Sequence, residues 1–477
     1  MKLKKESWID PAIGNDSSFK SILENVLKSI TPTEDDRKRV EAINRDIIQR
    51  LSDAAKASEG TVPEITIMGS VAKDTYLKGV SDSDVFLLFP KHISLTGIFE
   101  TTKRIVEKAF PKEKKIIAYA EHPYLRIINF KGFRIDIVPA YKIYSSSEKH
   151  SSVDRTQLHT LFVNTNLKSE QKSEVRLLKQ FMKAHRIYGS ELKVEGFSGY
   201  VCELLIIKFG SFKKTLEAFA TWELNKPICF FEQLKGKQEQ ISYEKFGNPP
   251  LLLIDPVDET RNAAAAVSAT NLARFVYAAR KFLTTPKAEF FDDSKKPITK
   301  KEKHFVLKKI AERKTFAFGI KFKKPDMIDD MLYPQLKKAS LKIFEALEMK
   351  DFQIFGYTFG ATQKHCIIII ELYHKTLPHV KKFIGPSILF ANNFNQFINA
   401  HKKAEKIHIE HFNIVAIEKR KHFDAVETVK HFLKYEKKGI PAELKKAMEN
   451  FSIISSKQIA QQFPELIYDY LKGLEKF

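Results

Sequence analysis

The chain has 477 residues, with 80 Lys+Arg against 58 Asp+Glu and a formal net charge of +22. Its 43% hydrophobic content excludes an intrinsically disordered chain, and its three widely separated cysteines (Cys202, Cys229, Cys366) exclude a disulfide scaffold and a CxxC metal site. At roughly 150 residues per domain the length accommodates about three domains, and the surplus charge suits a polyanionic partner.

The opening segment, MKLKKESWID, is basic but lacks an apolar h-region, so it does not read as a signal peptide. The longest apolar run, Cys366–Ile370, is far short of a membrane span. The expectation is a cytoplasmic protein with no membrane partner. Thr31-Pro32-Thr33-Glu34 has the shape of a capping box with Pro at the first helical position, and an apolar-periodic segment runs on to Leu51. The texture then changes. Ile65–Met68, Val85–Phe89, Arg126–Phe130 and Phe133–Val138 are short β-branched or aromatic runs that read as strands, with Lys131-Gly132 as a hairpin turn. Ser145–Ser147 marks the expected end of this unit.

From Glu170 to Leu283 helix signals dominate: Val175, Leu178 and Met182 form an apolar stripe, and Gly189 sits where such a helix could stop. Asn248-Pro249-Pro250 breaks the chain before the apolar run Leu251–Ile254, and the Ala-rich segment Asn262–Leu283 again reads helical. Pro286–Pro325 is dense in lysine, including Lys295-Lys296 and Lys300-Lys301. Beyond it, strand-like runs (Thr315–Phe322, Cys366–Leu372, Ile407–Glu418) mix with helical ones (Val426–Tyr435, Glu443–Phe451), an α+β texture. Five of the fourteen histidines lie between His401 and His431, in a scatter unlike a metal site.

The sharpest chemical signal is Gly69-Ser70, then Asp82-Ser83-Asp84 opening an apolar run, then Asp136 between Ile135 and Ile137. Residues two apart on a strand point the same way, so Asp82 and Asp84 project together. If the strand of Asp136 is a neighbour, three carboxylates converge, and their repulsion calls for a hard divalent cation such as Mg²⁺. Gly69-Ser70 after a strand, opening a helix, makes a phosphate seat within reach of Lys73 and Lys78. Taken singly, each has a plainer explanation: an ordinary turn at Gly69-Ser70, a solvated turn at Ser81–Asp84, a water-facing strand residue at Asp136.

This ordered set resembles the nucleotidyltransferase superfamily that includes polymerase-β-like enzymes. GSVAKDTYLKGVSDSDVFLLFP, RIDIVPAY, SVDRTQLHT, VRLLKQFMKAHRIYGSE, GFSGYVCELLIIKFGSF and DPVDETRNAAAAVS narrow it: they are similar to the successive signature segments of the archaeal, class I CCA-adding enzymes. The likeness is dense from Ile65 to Leu283 and thins to Ile384-Gly385-Pro386 and Glu418–Lys421.

The resemblance implies a multidomain α+β protein. Residues 1–150 would be a polymerase-β-like catalytic head with a mixed sheet and helices. Residues 151–285 would be a largely helical, nucleotide-selecting neck, and 286–477 a basic α+β body with a helical tail. It implies template-independent addition of C, C and A to the 3′ end of tRNA from CTP and ATP. Ser70 and Lys73 would contact the triphosphate, where relatives often carry arginine at the second position. Asp82, Asp84 and Asp136 would bind Mg²⁺, two ions being expected; the first is commonly Glu in the family. His159, Lys179 and Tyr188 would line the nucleotide pocket, and Arg261 and Asp258 would lie near the incoming base. Partners would be CTP, ATP and the acceptor stem and 3′ end of tRNA, gripped by the lysine-rich stretch, with room for a homodimer. Alternatives remain for several of these: a lysine stem covering core at Lys179, helix-end packing at Tyr188, a helix N-cap at Asp258, a solvated loop at Pro286–Pro325. A poly(A) or poly(U) polymerase and a catalytically inactive RNA-binding relative are the rival readings of the whole chain.

Overall fold

The computed structural model describes residues 17–58, 60–79, 81–119, 123–151, 153–223, 227–230, 243–294 and 298–472. The chain forms two compact units, residues 1–295 and 296–476. Lys295-Lys296 and the basic opening segment lie outside the described residues.

The first unit begins with α1 (Ser17–Ile30) and α2 (Glu34–Lys56). The capping box is set one step later than the sequence suggests: Thr33, not Thr31, is the N-cap, and it exchanges bonds with Asp36. Next come β1 (Glu64–Met68), α3 (Gly69–Ala72), β2 (Asp82–Phe89), α4 (Leu95–Ala109), β3 (Lys114–Tyr119), β4 (Pro123–Phe130) and β5 (Phe133–Tyr141). These five strands form one sheet in the order β1-β2-β5-β4-β3. Only the β2–β5 pair is parallel. β3 has no counterpart in the strand reading, because KKIIAY carries too short an apolar run to stand out. The β4–β5 hairpin turns at Lys131-Gly132, both with positive φ, as expected.

Alternation decides what each face of this sheet does. Val85, Leu87 and Phe89 of β2, with Ile135 and Ile137 of β5, pack under α2 and α4 against Ile47, Leu51, Ile105 and Val106. Ser83 points the same way and donates to Asn44 Oδ1 of α2 at 2.6 Å. Phe86, Leu88, Met68 and Ala140 form a smaller cluster on the opposite face. By the period of two, Asp82, Asp84 and Asp136 belong to that opposite face.

The same unit continues through α5 (Thr156–Asn166), α6 (Gln171–Ala184), α7 (Gly199–Phe209), α8 (Phe212–Ala220), the short hairpin β6 (Ile254–Asp255) and β7 (Asp258–Asn262), and α9 (Ala269–Thr284). The α6 stripe Val175, Leu178, Met182 is fully buried in a core with Phe181, Phe212, Phe275 and Phe282. α6 ends at Ala184, and Gly189 lies in the loop beyond it rather than at the stop. Residues 262–268 are not helical: Asn262 closes β7, its amide donating to Leu251 O at 2.8 Å, and α9 starts after Ser268.

The second unit comprises α10 (Lys300–Arg313), β8 (Phe316–Lys323), α11 (Asp329–Glu348), β9 (Ile354–Ala361), β10 (His365–Leu372), β11 (Val380–Ser387), α12 (Ala391–Ala400), β12 (Lys406–Glu410), β13 (Asn413–Lys419), α13 (Ala425–His431), α14 (Ala442–Ala447), β14 (Ser452–Ser455), α15 (Ser456–Gln462) and α16 (Pro464–Lys472). A sheet in the order β14-β8-β10-β9 carries α11, α13 and α14 over one face and α10, α15 and α16 over the other. β11, β13 and β12 form a separate three-stranded sheet. The run Ile407–Glu418 is therefore two strands, split by a turn at His411, which has φ 52°. Much of the lysine-rich stretch, expected as either a grip or a solvated loop, is the regular helix α10, opened by a capping box at Thr299. Cys202, Cys229 and Cys366 are all free and buried. Among the described residues, no helix is long and apolar enough to cross a membrane.

Candidate active site

The parallel pairing of β2 and β5 puts Asp84 directly beside Asp136, and Asp82 beside Arg134. The antiparallel pairing of β4 and β5 puts Arg126 beside Asp136 on the other side. Side chains follow register. Arg126 grips Asp136 through two bonds, Nε to Oδ1 at 2.6 Å and Nη2 to Oδ2 at 2.8 Å, and Arg134 Nη2 donates to Asp82 Oδ2 at 2.8 Å. Asp84 has no ion-pair partner among the described residues. Burial, then Asp136 and Asp82, push its carboxyl up to about 6.

The backbone thus brings the three carboxylates onto adjacent rungs, as the spacing predicts. Their side chains do not converge: among the described residues no three His, Cys, Asp or Glu groups are gathered closely enough to hold a metal ion as they stand. The reason is competition by the cross-strand arginines. The donor chemistry still fits a hard cation, since a carboxylate held near 6 by its acidic neighbours is the group that a cation would relieve most.

α3 starts where the sequence suggests, at Gly69, which has φ +70°. A Cβ there would lie 2.1 Å from Asp84 Oδ2, so the glycine leaves room for the carboxylate. Ser70 is partly exposed on the first turn.

Lys73 lies elsewhere than on an open wall. It is 7% exposed, and its amine pairs with Glu203 Oε2 at 2.5 Å. Lys179 is fully buried and donates to Thr75 O at 3.1 Å, Thr75 Oγ1 at 2.9 Å and Glu203 Oε1 at 3.1 Å. Burial alone would raise the Glu203 carboxyl, but Lys179 and Lys73, with the Thr75 hydroxyl, outweigh it and hold it at about 2. Tyr188 is partly buried beside this group; a Cβ on Gly199 would meet its hydroxyl at 3.0 Å.

A second centre forms around Asp255, which is wholly buried. It accepts from His159 Nε2 at 3.0 Å, Tyr200 OH at 3.0 Å, Arg261 Nη1 at 2.6 Å and Val257 N at 3.1 Å. His159 stacks on Tyr200 with ring centres 4.0 Å apart. Burial pulls His159 below the usual imidazole range. Against its own burial, Asp255 is held at about 2 by the hydrogen bonds and by the permanent charge of Arg261. Asp258 is not a helix N-cap: it opens β7, bonds Thr260 Oγ1 at 2.6 Å, and pairs with Lys149 and Arg155.

The structure therefore joins Lys73 with Lys179 and His159 with Arg261, each pair through a carboxylate that the motif reading passes over. Glu203 and Asp255 both follow or sit in apolar runs, VCELLII and LLLID. A lone acid in such a run must find cations, and that signal was available in the sequence.

Three family models match the chain. A nucleotidyltransferase domain covers residues 46–159, the second domain of tRNA nucleotidyltransferase covers 173–292, and the C-terminal domain of the CCA-adding enzyme covers 313–456. Curated CCA-adding enzymes match over most of the chain. That of Archaeoglobus fulgidus is 37% identical over 411 residues, 86% of this chain and 89% of its own length. That of Methanosarcina mazei is 35% identical over 387 residues, 80% and 82% respectively. Among solved structures, a poly(U) polymerase bound to magnesium and 3′-dATP aligns with 58% of this chain and 99% of its own at 15% identity and TM-score 0.47.

Proposed function

The chain belongs to the archaeal-type CCA-adding enzymes of the nucleotidyltransferase superfamily, and on that premise we propose how its residues divide the work. The activity is template-independent addition of C, C and A to tRNA from nucleoside triphosphates, so neither rival reading, homopolymer polymerase or inactive RNA binder, is retained.

The observation that carries the catalytic assignment is the register of Asp84 beside Asp136 with Asp82 two residues away. In this reading the three carboxylates are the ligands for divalent metal, Mg²⁺ being the hard cation that suits all-oxygen donors. When bound, Mg²⁺ supplies a Lewis acid that lowers the pKa of the RNA 3′-hydroxyl and neutralises charge on the leaving pyrophosphate, two ions being the usual number for such displacements. Asp84 is the ligand ready to act, because no cation occupies it. Asp82 must exchange Arg134, and Asp136 must release one oxygen from Arg126, before either can ligate or accept a proton. Ser70 and Lys73 orient the triphosphate for in-line attack, which is positioning rather than covalent catalysis. Arg261, braced by Asp255, and the stacked pair His159–Tyr200 form the wall against the base. Tyr188 contributes packing behind that wall, and Asp258 holds Lys149 and Arg155 at its edge.

We assign 1–150 as the head, 151–285 as the neck and 286–477 as the body and tail. Lys301, Lys303 and Lys308 stand exposed on α10, in keeping with a body that grips acceptor-stem phosphates by charge and shape.

Asp84→Ala and Asp136→Ala test the assignment. Each is expected to lower nucleotide addition by on the order of 10³-fold, the scale of losing a group that stabilises transition-state charge. tRNA affinity should stay within about threefold, because neither residue neutralises a phosphate. Near-full activity in either variant would remove that residue from the metal site.

A further inference from the structure

Two lysines and one carboxylate share a closed compartment, and counting their donors separates their roles. An ammonium has three N–H bonds. Lys179, buried to 1% exposure, spends all three: on the Thr75 carbonyl oxygen, the Thr75 hydroxyl and Glu203 Oε1. No donor remains for a phosphate oxygen. Lys73 makes one bond, to Glu203 Oε2, and keeps two. Its amine also lies 5.8 Å from the centre of the Tyr200 ring, on the side of the His159–Arg261 wall. Glu203 is wholly buried and collects Lys73, Lys179 and the Thr75 hydroxyl. Two cations thus share one anion, and the unneutralised charge belongs to the lysine that still has donors.

We propose that Glu203 is the positioning residue for the triphosphate-binding Lys73, and that Lys179 acts through Glu203, as its permanent counter-charge, rather than on the nucleotide. The proposal rests on the reading of Lys73 as the phosphate ligand. It departs from what the sequence resemblance implies, namely that Lys179 itself contacts the nucleotide. The physical reason for the arrangement is rigidity. A lysine has a long flexible stem and a point charge, so on its own it places a donor poorly. A buried carboxylate with a fixed second cation removes that freedom before substrate arrives. Removing charge from either Glu203 or Lys179 frees the Lys73 amine without removing it.

The experiment is a double-mutant cycle read as KM and kcat for CTP and ATP separately, alongside thermal melts. Lys73→Met is expected to raise KM for both nucleotides by about tenfold or more, since it deletes a charge-assisted contact. Glu203→Gln is expected to raise KM for both by about three- to tenfold with a smaller change in kcat. In the Lys73→Met background, Glu203→Gln and Lys179→Met should add nothing further to KM, because both act through Lys73. Thr75→Val, which loosens Glu203 without stranding a buried charge, should move KM in the same direction by about twofold even if Glu203→Gln folds poorly. Lys179→Met multiplying the KM of Lys73→Met would overturn the proposal, because Lys179 would then touch phosphate itself. Glu203→Gln and Thr75→Val melting early with unchanged KM would reduce Glu203 to a structural role and likewise overturn it. Lys73→Met leaving KM unchanged would instead defeat the site reading beneath the proposal, an outcome distinct from the other two.

Discussion

Asp255 receives four hydrogen-bond donors and holds His159, Tyr200 and Arg261 in one place. Its carboxyl sits at about 2, below the ordinary value. A depressed carboxyl contributes stability that is present above its unfolded pKa, near 4, and is lost as pH falls through about 2. Asp255→Asn is therefore expected to melt lower than the parent at pH 7. It should also lose less on going from pH 4 to pH 2, by up to ~1.4 kcal/mol per pH unit in the unfolding free energy. Parallel melts across that range check this; equal slopes for the two proteins would mean that Asp255 titrates normally. Residues of this kind were the hardest to read from sequence. Asp82, Asp84 and Asp136 announce themselves by a spacing of two and by a charge inside an apolar strand. Asp255 and Glu203 give only the second signal, and the partners that make each tolerable come from distant segments: His159 is 96 residues from Asp255, and Lys73 is 130 from Glu203. Lys73 and Lys179 were legible as residues near the site, but their division of labour was not. That depends on which acceptors each amine meets.

At the scale of elements, the site is made by three short features: the β1–α3 turn, the start of β2 and the middle of β5. Gly69 joins the first two. With φ +70° and a Cβ position 2.1 Å from Asp84 Oδ2, it fits only without a side chain. Gly69→Ala is expected to cost about 1–2 kcal/mol of stability for the left-handed backbone. It should also lower kcat by at least about tenfold, by displacing the Asp84 carboxylate, with KM for nucleotide changed less. Steady-state kinetics on the folded variant decide this; an unchanged kcat would show that Asp84 has room to spare. Strand and helix existence was largely readable here, because β2 and β5 carry strong apolar runs. Boundaries were less so. Asn262–Ser268 has helix-forming alanines, yet Asn262 is captured by the backbone of Leu251 and Leu253, and that tertiary bond outweighs the local preference. Asp258 followed the same rule: as a residue after Pro256-Val257 it could cap a helix, but the hairpin with β6 formed instead.

For the whole molecule, the two compact units separate the two signs of charge that composition had merged into a single surplus of +22. The first unit keeps its acidic residues on one face of a five-stranded sheet and pairs its buried acids with named cations. The second builds on an independent four-stranded core, and its basic opening helix α10 has Lys301, Lys303 and Lys308 exposed. The presence of this second core could be anticipated from the mixed runs after Pro325. Its sheet order could not, since β14 comes last in sequence yet pairs with β8, which comes first. The central claim is that these parts together extend a tRNA end by three defined nucleotides. The most direct test supplies tRNA lacking its last three nucleotides, with CTP, ATP and Mg²⁺, and sequences the 3′ ends. The account predicts growth by C, C and A followed by arrest; a long homopolymer tail, or no growth with tRNA bound, would contradict it.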